Sequence, residues 1–284
     1  MDQPAGGVRE HAGTFKDKDG LSIAFRFWHP EPNVRAAVVI IPGFNSHGGY
    51  YSWVAEQLVA QRLAVYAIDL RGRGKSEGER FYVNDFADYV SDIAGLVDLV
   101  KSGKPVMPIF LLGHSAGGVA ACLYALDHQQ VLTGLICESF AYELPAPGFA
   151  LSAIKGLSHV APHTHLLQLK NEDFSRDPNV VQAMNDDLLI AGESQPAETL
   201  AALIRADELL KRSFPRLTLP LLILHGTADK AAKASGSRYF YQTTGSADKT
   251  LKLYEGGYHD LLNDAGKSEV MGDVERWIEA HLST

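Results

Sequence analysis

Ile109-Phe110-Leu111-Leu112-Gly113-His114-Ser115-Ala116-Gly117-Gly118-Val119-Ala120-Ala121 is the stretch whose reading decides the fold. Four apolar residues of a buried-type strand run into a G-x-S-x-G pentapeptide, and the small residues of a closely packed helix follow. A strand that turns straight into a helix crowds every side chain near the turn. Gly113 and Gly117, two residues to either side of Ser115, relieve that crowding and tolerate unusual backbone angles. Strain of this kind clusters at functional positions, where it presents one hydroxyl at the tip of a sheet. The pentapeptide therefore reads as a nucleophile elbow, with Ser115 as the nucleophile.

Outward from the elbow, short apolar runs alternate with helical patterns. Ala36–Ile41, Ala64–Ile68, Pro108–Leu112, Gly134–Cys137, Leu221–Leu224 and Leu251–Tyr254 read as strands. Tyr51–Arg62, Asn84–Lys101, Gly117–His128 and Ser268–His281 read as helices. Gly13–Asp17 and Ser22–Trp28 read as an antiparallel edge hairpin. Near-continuous apolar strands separated by helices imply an α/β fold, a mostly parallel eight-stranded sheet with helices on both faces. The alternation stops after Ser139. From Tyr142 to Arg212 no strand is expected, and a Pro/Gly-punctuated stretch (Pro145, Pro147, Gly148) leads into an apolar helical segment, Phe149 to Val160. Residues 142–212 thus read as a helical cap inserted into a core of residues 1–141 and 213–284, and insertions of that size usually carry function. Phe149, Ala153, Leu157 and Val160 form an apolar face that either packs on the core or lines an acyl-chain tunnel.

The composition, 284 residues with 46% hydrophobic and 21% charged, suits one large core. A net charge of −8 without a basic stripe argues against nucleic-acid binding. Cys122 and Cys137 sit in apolar surroundings and read as small buried hydrophobes. The polar stretch Met1–Lys16 has no signal-peptide pattern and no apolar span reaches membrane length, so the expectation is a cytoplasmic protein with at most peripheral membrane contact through the cap.

Open sheets place their sites beyond the carboxyl ends of the strands. Asp229 follows the strand ending at Leu224, and His259 follows the strand ending at Tyr254. A serine hydroxyl is a poor nucleophile at neutral pH and needs a base, so His259 reads as the base and Asp229 as the acid that orients it. Glu138, at the end of another strand, is the rival acid. His47, His114, His225 and His281 are the rival bases. Two backbone N–H groups must face the developing oxyanion: Ala116, after the nucleophile, and Phe44, in the loop after Ile41. Gly74-Lys75-Ser76 lacks the first glycine of a phosphate loop, because Asp69 stands there, and Gly72-Arg73-Gly74 lacks the third glycine of a dinucleotide fingerprint. His163-Thr164-His165 reads as cap surface, and no metal site is expected.

Three further segments carry a family resemblance. Asp69-Leu70-Arg71-Gly72-Arg73-Gly74-Lys75-Ser76-Glu77-Gly78-Glu79-Arg80, Ser175-Arg176-Asp177-Pro178 with Asn185-Asp186-Asp187, and Lys249–Gly256 leading to His259 resemble the monoacylglycerol lipase and lysophospholipase branch of the α/β-hydrolases. The resemblance runs over nearly the whole chain. It implies the α/β-hydrolase fold and hydrolysis of carboxylic esters without a cofactor, with monoacylglycerols or lysophospholipids as substrates. It carries the triad onto Ser115, Asp229 and His259, and the oxyanion donors onto Phe44 and Ala116. The family's His-Gly-x-Gly-Glu-His loop here reads Pro42-Gly43-Phe44-Asn45-Ser46-His47. Backbone donation survives those changes, while the Phe44 ring narrows the acyl pocket. The alternatives are an esterase for small or aromatic esters and, in another class, a ligand-binding hydrolase fold with incidental turnover. Oligomeric state is not legible.

Overall fold

The structure, a computed structural model, describes residues 9–30, 33–104, 106–142 and 147–282. The first eight residues of the polar N-terminal stretch, and Pro145, lie outside the described residues. Eight strands form one sheet in the order β1-β2-β4-β3-β5-β6-β9-β10. They are β1 (Glu10–Lys16), β2 (Ser22–Trp28), β3 (Ala36–Ile41), β4 (Leu63–Ile68), β5 (Ile109–His114), β6 (Gly134–Glu138), β9 (Leu221–Gly226) and β10 (Lys249–Tyr254). β1 and β2 pair antiparallel, as does β2 with β4, and every other pair is parallel. The hairpin begins three residues earlier than its sequence suggests.

β3 shows why the sheet is covered on both sides. Ala37, Val39 and Ile41 enter one apolar cluster, and Ala36, Val38 and Ile40 enter the other. The period-2 alternation of a strand thus feeds two cores rather than one core and solvent. The first core takes α2 (Phe86–Gly103), α3 (Ala116–His128) and one face of α6 (Ala197–Ser213). The second takes α1 (Ser52–Ala60) and α8 (Lys267–Leu282). Asp85 caps α2 by accepting the Ala87 N–H at 2.8 Å, which starts the helix two residues later than the apolar pattern.

α7 (Ala234–Thr243) has no counterpart in the sequence reading. The other difference lies between β6 and β9. α4 (Gly148–Val160), β7 (His165–Leu167), α5 (Pro178–Asp186), β8 (Gln195–Pro196) and α6 follow one another there. β7 and β8 pair antiparallel, so the stretch expected to hold no strand contains a short ribbon. Two or three residues are too few to leave an alternating pattern. Cys122 and Cys137 are free and fully buried. No helix among the described residues is long and apolar enough to cross a membrane.

Candidate active site

At the C-terminal edge of the parallel strands, the turn from β5 into α3 holds Ser115 at φ +54° and ψ −123°. This conformation is unfavourable for a residue with a side chain. Its neighbours make room for it. A Cβ on Gly117 would lie 2.2 Å from the Ile41 carbonyl oxygen, and one on Gly113 would lie 2.6 Å from the Gly118 Cα. The turn is fastened from behind, where Ser115 N–H donates to the Glu138 carbonyl at 3.0 Å.

Ser115 Oγ lies 2.8 Å from His259 Nε2, and His259 Nδ1 lies 2.7 Å from Asp229 Oδ2. The three side chains, from the ends of β5, β9 and β10, therefore meet in one hydrogen-bonded chain. Asp229 also accepts the Ala231 and Ala232 N–H groups at 2.8 and 2.9 Å and faces His225 Nε2 at 3.1 Å. Burial alone would raise its carboxyl. The charge interaction with His259 and the hydrogen bonds from His225 and His259 outweigh burial and hold it well below the usual carboxylate range. An ionised carboxylate on Nδ1–H fixes the tautomer in which Nε2 can take a proton from Ser115.

None of the rival residues is hydrogen-bonded to Ser115, and each has other partners. His47 Nε2 meets Asp187 at 2.8 Å, and His225 Nδ1 meets Ser237 at 2.7 Å. His281 bonds the Trp277 carbonyl and Asp248. His114 stacks against His259 with ring centroids 4.9 Å apart, and its Nε2 faces the His259 carbonyl at 3.3 Å. Burial, then the neighbouring His259, pushes His114 down to about 3, so it stays neutral. Glu138 does not contact Nδ1 of His259; its Oε1 accepts the Leu262 N–H at 3.2 Å.

The loop after β3 packs against the Ser115 turn. Phe44 and Ala116 line the same cavity as Ser115, and among the described residues neither backbone N–H donates to a protein group. Asn45, where the resembling motif has glycine, takes φ +51°, a region asparagine tolerates. Its N–H donates to Glu193 Oε1 at 2.9 Å. Glu193 is also ion-paired with the buried Arg73, whose guanidinium reaches Gln195 Oε1 at 2.8 Å and lies 4.2 Å over the Phe44 ring. Arg73, Glu193 and Gln195 thus hold the Phe44 loop in place, and the sequence reading missed all three. Only their proximity gives them away, and they are separated by about 120 residues of chain.

The segment between β6 and β9 also holds the His259 turn. Phe174 accepts the Asp260 N–H at 2.8 Å, and its ring stands edge-on to the His259 ring at 5.0 Å. Arg176 Nε donates to Asp264 Oδ2 at 2.7 Å, while Asp177 and Pro178 start α5 as cap and first-turn proline. Ser175-Arg176-Asp177-Pro178 therefore ties the segment between β6 and β9 to the turn that carries His259. A cavity of about 230 Å³ opens at Ser115, its apolar wall built by Phe44, Leu167, Leu169, Phe174, Leu200 and Leu203. The apolar face expected on α4 plays neither role foreseen for it. Phe149 and Val160 are 79% and 81% exposed, Ala153 is exposed and Leu157 half-buried, because α4 packs on α6 and not on the sheet. His163 bonds Glu79 and His165 bonds the Ser194 carbonyl on the exposed surface. Among the described residues, the one group close enough to share an ion is buried: His114, Glu138 and Asp260, within 4.8 Å of one another.

Comparison with known proteins settles the family. The profile described as "Serine aminopeptidase, S33" matches residues 32–266. The chain belongs to this family of α/β-hydrolases. It is a carboxylic ester hydrolase of the lipase and esterase type. The chain is 32% identical over 276 residues to the monoacylglycerol lipase of Mycolicibacterium smegmatis, covering 96% of this chain and 98% of that one. It is 33% identical over 271 residues to the monoglyceride lipase of Homo sapiens, covering 94% and 89%. Among solved structures, this hydrolase superposes on a monoacylglycerol lipase of Paleococcus ferrophilus with a TM-score of 0.82 and 27% identity, covering 92% and 99%.

Proposed function

We propose that this hydrolase cleaves lipid monoesters, monoacylglycerols or lysophospholipids, through a Ser115–His259–Asp229 triad. The observation that carries the reading is the hydrogen-bonded chain from Asp229 through His259 to Ser115, ending in an apolar cavity. His259 Nε2 takes the Ser115 proton as Oγ attacks the ester carbonyl, and the N–H groups of Phe44 and Ala116 receive the oxyanion. His259 then protonates the leaving alcohol, and an acyl-Ser115 intermediate remains. Water, deprotonated by His259, attacks that ester and releases the acid and the serine. Gly113 and Gly117 are the elbow glycines in this reading. Residues 142–212 act as a cap on a core of residues 1–141 and 213–284, with α6 as the part of the cap rooted in the core.

The cavity is smaller than the roughly 300–1,000 Å³ usual for drug-sized ligands, so short and medium acyl chains fit best. The exposed Phe149 and Val160 support peripheral contact of the cap with a lipid surface, from a cytoplasmic location.

Steady-state hydrolysis of p-nitrophenyl esters from acetate to palmitate, followed by monoacylglycerol, lysophospholipid and aromatic esters, tests this. Activity that is lost in Ser115→Ala, peaks at intermediate chains and is highest on a glycerol monoester is the expected result. A peak at acetate or on aromatic esters moves the assignment to a small-ester esterase. No Ser115-dependent turnover moves it to a binding role.

A further inference from the structure

We propose that Glu138 is a positioning residue: from the end of β6 it clamps the turn that carries His259 to the turn that carries Ser115. This rests on the reading of Ser115 and His259 as nucleophile and base.

The turn after His259 runs from Leu261 to Asn263, and Asp260, at its cap position, makes no side-chain capping bond. The missing acceptor comes from another strand. Glu138 Oε1 takes the Leu262 N–H at 3.2 Å, with the Leu261 N–H also turned toward the same carboxyl. On its other side, the Glu138 carbonyl accepts the Ser115 N–H at 3.0 Å. One residue therefore contacts both reacting segments, through main chain on the serine side and side chain on the histidine side. His114, its partner across the strand pair, closes the same bridge through the His259 carbonyl.

Glu138 is fully buried, and among the described residues no lysine or arginine pairs with it or with Asp260. Its Oε2 has no hydrogen-bond partner. Burial first, and the neighbouring Asp260 second, push its carboxyl well above the usual range, so the clamp works as a neutral group. A neutral clamp needs length and an acceptor oxygen, not charge. Glutamine offers both, aspartate is one methylene short of the turn, and leucine offers no acceptor. Displacing a base by about 1 Å can cost on the order of a hundredfold.

The test compares Glu138→Gln, Glu138→Asp and Glu138→Leu with the unaltered enzyme for kcat and KM on p-nitrophenyl butyrate, melting temperature, and rate of Ser115 labelling by a fluorophosphonate. The expected result is kcat within about threefold for Gln, and lower by roughly ten- to a hundredfold for Asp and Leu, with KM unchanged and labelling slowed in parallel. If Leu does not fold, the Gln and Asp pair decides. A folded Asp variant with full kcat and labelling rate overturns the proposal. So does a Gln variant as impaired as Leu, which would mean that charge is required. One equivalent of divalent metal in the purified enzyme, lost in Glu138→Gln, would make Glu138 a ligand and overturn it as well. Failure of the fluorophosphonate to label Ser115 in the unaltered enzyme would instead defeat the underlying reading of the triad.

Discussion

Asp229 is the residue on which the proposed chemistry turns, because its two oxygens accept two backbone N–H groups and face two histidines. An asparagine there keeps the shape but presents one end as a donor, which reverses the His259 tautomer. Asp229→Asn should lower kcat by on the order of 10⁴, with little change in KM and with the fold retained by circular dichroism. A loss below about tenfold would remove Asp229 from the role assigned to it. The meeting of Ser115, Asp229 and His259 was legible because each follows a strand, and strand ends converge in a parallel sheet. Phe44 and Ala116 follow strands as well, and both line the cavity at Ser115. Arg73 and Glu193 were not, since a buried ion pair leaves no mark in either local segment.

The elements that shape the site come from the stretch where sequence patterns are weakest. α7 contains Ser235, Gly236 and Ser237 followed by three consecutive aromatics, Tyr239, Phe240 and Tyr241, and it forms because Phe240 is buried in the core rather than by helix propensity. β7 and β8 exist only as partners of one another. The Arg73–Glu193 pair joins β8's neighbourhood to the Phe44 loop. Arg73→Met should leave Glu193 buried without its partner and destabilise the fold by about 3–5 kcal/mol, whereas Arg73→Met with Glu193→Gln should recover much of the loss. Urea denaturation of the two single variants and the double variant measures it; additive losses would mean that the pair does not act as a unit. On α6, Leu203 faces the cavity. Leu203→Trp fills part of that volume and should shift the chain-length optimum toward shorter esters, read as a fall of kcat/KM on long chains of about tenfold or more. An unchanged profile would place the acyl chain elsewhere.

Over the whole molecule, two apolar cores on opposite faces of the sheet carry stability, and buried ionisable groups beneath the site set its pH response. His114 is held near 3 in the fold against an ordinary value of 6.5. The unfolded chain therefore binds the extra proton first, so stability declines as pH falls from about 6.5 toward 3. Its contribution is intact above that window. His114→Gln should flatten this part of the curve, giving a smaller drop in melting temperature between pH 7 and pH 4 than in the unaltered enzyme. A parallel drop in both would mean that His114 does not titrate in this window. The exposed α4 face acts at the same scale. Phe149→Ser should weaken co-sedimentation with phosphatidylcholine vesicles while leaving hydrolysis of p-nitrophenyl butyrate intact, and unchanged co-sedimentation would remove α4 from any membrane contact.

The sequence by itself determined the α/β class, the strand-to-helix turn at Ser115 and the three strand ends that meet there. Each of these depends on local periodicity, or on glycines forced by steric crowding within a few residues. Only the tertiary structure decided that Phe149, Ala153 and Val160 of α4 face outward, that Arg73 and Glu193 brace the Phe44 loop, and that Glu138 bonds the turn after His259 and not its Nδ1. Those outcomes depend on which distant segments pack together, and burial and pairing across the sheet are properties of the folded chain as a whole.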